Sequence, residues 1–132
     1  LNVLIRFTET SFILLPDIQN QISQPELYEL FINQIKKDFE NSSIDITFIN
    51  DFIQDYQFIH ASLTKKLKHI LKSNTFKLNE LLYRIDISEG QIKILSQKKP
   101  QLSFEELLAE LIMKRILQKV VIKLVHKNQS KK

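Results

Sequence analysis

Three histidines, His60, His69 and His126, and two carboxylate pairs, Asp51 with Asp55 and Glu106 with Glu110, are the side chains of this 132-residue chain best suited to hold a metal or move a proton. Side chains four apart share one face of a helix, so each acidic pair could present two carboxylates to one ligand. The histidines lie nine and fifty-seven residues apart, which matches no zinc pattern on a helix, and the absence of cysteine excludes disulfides and thiolate ligands. No serine sits in a nucleophile elbow, and a single glycine cannot build a phosphate-cradling loop. Polar helix faces carry acidic pairs routinely. The sequence therefore reads as non-enzymatic, with no catalytic residue, metal, cofactor or small-molecule ligand expected.

Attraction of anions is the other chemistry on offer. Residues 1–64 hold three Lys or Arg against nine Asp or Glu, a balance of −6, whereas residues 65–132 hold sixteen against six, a balance of +10; together they give the chain its +4. Lys114, Arg115, Lys119, Lys123, Lys127, Lys131 and Lys132 have no acidic residue among them. Arg115, Lys119, Lys123 and Lys127 recur every four residues, a ridge that would attract phosphate backbones, acidic membrane surfaces or an acidic protein. The same cations suit the negative end of a helix, and an acidic half folded against them would neutralise the ridge.

The elements that must position these groups are helical. From Asp45 to Lys72 the residues Ile46, Ile49, Ile53, Tyr56, Ile59, Leu63, Leu67 and Ile70 recur at steps of three or four, and Phe48 with Phe52 widens the stripe. That period predicts one long central helix packed on at least two neighbours. Ser23 and Pro25 suit the start of an earlier helix running to about Phe39. Ser103 with Glu106 forms a capping box opening the last helix, whose stripe runs from Phe104 to Val125. His60, followed by the small Ala61 and Ser62, is a place for a bend. The tyrosines and phenylalanines fall mostly on apolar stripes and are expected in the core.

Between Leu78 and Leu95 two patterns coexist. Tyr83, Ile85 and Ile87, then Ile92 and Ile94, alternate about Glu89–Gly90 as in a hairpin; Ser88 with Gln91 forms a capping box, and Leu81, Leu82 and Ile85 step as in a helix. In its helical form this stretch resembles the helix-turn-helix motif of DNA-binding regulators, on Leu81, Ile85, Ile87, Ile92 and Leu95 with Ser88 opening the second helix. The resemblance implies contact with the major groove through Gln91, Lys93, Lys98 and Lys99. The chain departs from that family at Leu82, where a small residue is favoured, and at Asp86, where glycine is favoured.

The expected architecture is all-α, a single-domain bundle of four to five helices around the central one. Residues 1–22 are expected to form an arm, partly extended or disordered, residues 23–126 the bundle, and residues 127–132 a solvated basic tail. The expected function is a cytoplasmic protein-interaction module, binding a protein partner or itself as a homodimer. The alternative is nucleic-acid binding through residues 78–95 and the ridge of the last helix, with Lys114, Arg115, Lys119, Lys123, Lys127, Lys93, Lys98 and Lys99 as contacts. No run approaches the roughly 18 apolar residues of a membrane span.

Overall fold

A computed structural model describes residues 18–130, with side chains described as far as Lys127. The chain is mostly helical: α1 (Ile18–Ile22), α2 (Pro25–Asn41), a 3-10 turn (Thr47–Asp51), α3 (Tyr56–Ser73), α4 (Thr75–Ile85), α5 (Glu89–Lys98) and α6 (Phe104–Ser130). No strand occurs among the described residues, so the segment about Gly90 is helical and not a hairpin.

The last helix organises the packing. α6 is 27 residues long, roughly 40 Å at 1.5 Å per residue, and packs against each of α1 to α5. Leu107, Leu108, Ala109, Leu111, Ile112, Met113, Ile116, Leu117, Val120 and Val121 are all buried in it. Such a run covers more than one side of the helix, which is what a rod surrounded by neighbours requires. Ser103 and Glu106 close the expected capping box at its start: the Ser103 N–H donates to Glu106 Oε1 at 2.8 Å, and the Glu106 N–H to Ser103 Oγ at 3.1 Å.

The stretch expected to form one long helix from Asp45 is divided. Asp45 accepts hydrogen bonds from the Thr47 N–H at 3.0 Å and the Thr47 hydroxyl at 3.1 Å, which holds a turn rather than a helix. After the 3-10 turn Phe52 is extended, and Asp55 caps α3 by accepting the Phe58 N–H at 2.8 Å. The apolar period crosses this break, but its residues there are β-branched and interleaved with Asn and Asp, which favour turns and caps. Ile53, on the expected stripe, is 56% exposed. His60, expected at a bend, lies inside α3, which continues as helix to Ser73.

Three other departures have local causes. Ser23 turns back to α1, its hydroxyl donating to the Asn20 carbonyl at 2.6 Å, so Gln24 stands at the N-cap of α2 with Pro25 in the first turn. Residues 18–22, expected at the end of an arm, form α1 with Ile18 and Ile22 buried, and the rest of that arm lies outside the described residues. The helical backbone of α6 extends through Ser130, into the expected tail.

Two helices end on a left-handed residue that is not glycine. Ser43 (φ 62°) follows α2, and Asp86 (φ 70°) follows α4. In each case the next residue, Ile44 or Ile87, is buried and its N–H returns to the helix, to the Phe39 carbonyl at 3.0 Å or the Leu82 carbonyl at 2.9 Å. Left-handed backbone costs an L-residue about 1–2 kcal/mol, part of which glycine's greater freedom in the unfolded chain cancels. Ser43→Gly is therefore expected to stabilise by about 0.5–1 kcal/mol. A calorimetric midpoint raised by about 2–4 °C checks this, and an unchanged or lowered midpoint would contradict it.

Candidate interaction surfaces and a polar cleft

Most cations of the expected ridge are engaged within the fold. Lys119 Nζ lies 3.0 Å from Oδ2 of buried Asp38 on α2, and Lys123 Nζ donates to Gln34 Oε1 at 2.6 Å. Arg115 reaches the turn after α4, with Nη2 2.9 Å from Asp86 Oδ2 and Nε 3.3 Å from the Ile85 carbonyl; it also donates to Gln118. Lys114 and Lys99 both meet Glu110, at 3.1 and 2.9 Å. Lys127 and Lys123 line a cavity of about 430 Å³ between α2 and α6 together with Glu26 and Glu29. The acidic first half thus supplies Asp38 to the basic second half, and Lys131 and Lys132 lie outside the described residues.

Glu110 belongs to a polar cleft of about 530 Å³ lined also by Tyr56, His60, Gln101, Glu106 and Lys114. Its side chain is only 4% exposed. Burial would push the carboxyl up, but hydrogen bonds from Lys99 and the charge of Lys114 outweigh it and hold the group below the usual carboxylate range. Tyr56 is pushed up to about 12, chiefly by burial and secondarily by Glu110, so its hydroxyl remains protonated at neutral pH. His60 stacks on Tyr56 with centroids 5.8 Å apart, and its Nε2 lies 3.0 Å from the Glu106 carbonyl, which makes that nitrogen the N–H donor. Glu106 is lowered by the Ser103 hydrogen bonds of its capping box. Glu110 is thus paired with Lys99 and Lys114, while Glu106 is taken up by Ser103 and His60 by a backbone carbonyl.

The other carboxylate pair separates. Asp51 ends the 3-10 turn and Asp55 caps α3, so they do not share a helix face. Nor do the histidines converge: His60 is in the cleft, while His69 and His126 are exposed at other positions.

Residues 78–95 form two helices joined by a tight turn. Asp86 has the left-handed backbone (φ 70°, ψ 52°) for which the helix-turn-helix family uses glycine. Ser88 and Gln91 make the expected capping box, which occupies the Gln91 side chain. Leu82 is half-buried against the core, and α4 and α5 each pack on α6 more than on one another. Of the contacts implied by the resemblance, Lys93 and Lys98 are exposed and Lys99 is held by Glu110.

Two surfaces lie outside the expected site residues. Phe76 and Tyr83 on α4 are 72% and 88% exposed, against the expectation that aromatic residues fill the core. Seven residues apart, they share a face opposite buried Leu78, Leu81 and Ile85. The second surface is the outer row of α3, where Lys65, Lys68, His69 and Lys72 are exposed opposite buried Ile59, Leu63, Leu67 and Ile70. Placing Phe76 and Tyr83 by their angle relative to the leucines would have found the first. An acid-free run from residue 56 to 79 signals the second.

Comparison with models of known protein families, with curated proteins and with solved structures finds no match. Among the described residues no helix is long and apolar enough to cross a membrane.

Proposed function

We propose that this chain is a non-enzymatic protein-interaction module, a small helical bundle that offers the outer face of α4 to a protein partner. The observation that carries the reading is the pair Phe76 and Tyr83, 72% and 88% exposed on one face. Two turns apart, they are separated by about 10 Å along the axis, the i and i+7 anchor spacing by which a helix seats in an apolar groove. Tyrosine in particular is enriched at interfaces and among the residues that dominate binding energy. The pairing of Glu110 with Lys99 and Lys114 holds it as a carboxylate engaged within the fold, which supports binding over proton transfer as the task of the molecule.

Self-association and a different partner are distinguished by sedimentation of the full chain across micromolar concentrations and by capture from extracts of the native host, with nuclease treatment in parallel. Phe76→Ser with Tyr83→Ser is expected to abolish the interaction while leaving the unfolding midpoint unchanged, each residue contributing tenfold or more in affinity. Wild type and double variant that both sediment as monomers and retain the same set of proteins would overturn the reading.

A further inference from the structure

We propose that the outer row of α3 is a binding site for the phosphate backbone of a nucleic acid, with Lys65, Lys68 and Lys72 as its contacts. The inference uses a different surface from that of the protein-interaction reading and does not depend on it.

The chain contains two long stretches without a carboxylate, residues 56–79 with five lysines and residues 111–132 with six lysines and Arg115. Composition gives no reason to treat them differently, but the fold does. It brings Asp38, Asp86 and Gln34 against the second stretch, where Lys119, Arg115 and Lys123 are held. No described residue makes an ion pair with Lys65, Lys68 or Lys72. Lys68 is near enough to Glu106 to help lower its carboxyl but forms no salt bridge with it, and Lys66, on the flank, acts on Asp45 and lies over the Phe48 ring at 5.3 Å.

Geometry suits a polyanion. Steps of three and four place the lysines along one face, spanning about 10 Å of axis, with exposed His69 beside them and the small Ala61 at the head of the row. A duplex presents about one charge per 1.7 Å of its axis, so this row meets several phosphates at once. The choice of cation separates a nucleic acid from an acidic protein. Lysine binds phosphate as a strongly hydrated point charge, whereas it is depleted from protein interfaces. Three lysines aimed at the phosphate backbone position a duplex without fixing its sequence, so the binding is expected to be largely indifferent to sequence.

The test is fluorescence anisotropy with short labelled duplex and single-stranded oligonucleotides of two unrelated sequences, using the full chain. Three neutralised phosphates predict a slope of log K against log salt of about −2.7 on duplex, roughly a fortyfold loss between about 50 and 200 mM. Lys65→Glu, Lys68→Glu and Lys72→Glu together are expected to weaken binding by at least tenfold with unchanged circular dichroism. Lys93→Glu with Lys98→Glu, on exposed sites of α5, is expected to leave it intact. Absence of binding at low salt, or a salt-insensitive affinity, would overturn the proposal. So would loss in the α5 variant alone, which would move the contact to the helix-turn-helix segment. Equal displacement by polyglutamate at matched charge would also overturn it, by pointing to an acidic protein.

Discussion

Phe39→Ala is expected to lower stability by about 3–5 kcal/mol, the usual result of emptying a large aromatic site in a core. For a chain of this length that corresponds to a fall in melting midpoint of roughly 10–20 °C. Phe39 is fully buried near the end of α2, and its ring packs on Phe48 at 5.7 Å, which in turn meets Phe52 at 5.7 Å edge-on. This aromatic chain ties the non-helical stretch between α2 and α3 to the core. The backbone bond from the Ile44 N–H to the Phe39 carbonyl is available to alanine as well, so the loss comes from packing and the cavity. Amide exchange should accelerate most between residues 42 and 55, and more than the global loss requires. A midpoint shift under about 3 °C, or uniform acceleration through α6, would show that Phe39 does not anchor this stretch.

The residues around that anchor also show where sequence reasoning reached and where it stopped. Helix type was legible because Leu63, Leu67 and Ile70, or Leu108, Ile112 and Ile116, leave the period no other interpretation, and the boxes at Ser88 and Ser103 close as their spacing requires. The division of the stretch from Asp45 was not legible from period, because Ile46, Ile49 and Ile53 keep step while the backbone follows the side-chain caps of Asp45 and Asp55. Turn chemistry decided against periodicity there. The outcome at the basic ridge depended on contacts more than eighty residues apart, such as Lys119 with Asp38 and Lys123 with Gln34. No local pattern announces which of two similar lysine rows will meet an acid.

Lys99→Met with Lys114→Met is expected to be strongly destabilising, because it strips both cations from a carboxylate that is 4% exposed. Removing partners from a sealed buried charge costs about 3–5 kcal/mol; the half-exposed position of Lys99 discounts this to roughly 2–4 kcal/mol. The pH dependence separates this effect from lost packing. In the wild type the Glu110 carboxyl is held below its ordinary value, so its contribution is present above the unfolded-state pKa near 4.5 and is lost as pH falls through the lower folded value. In the double variant burial acts unopposed and raises the folded carboxyl above its unfolded value, reversing the sign. The penalty is then complete at neutral pH and relaxes as acid protonates Glu110. Urea unfolding at several pH values between neutral and about 4.5 should therefore show the gap between the proteins narrowing on acidification. A gap that stays constant across that window would mean that the lysine stems, and not their charges, supply the stability. Methionine retains most of the stem's apolar length, so a charge-based loss narrows with acid while a packing-based loss does not.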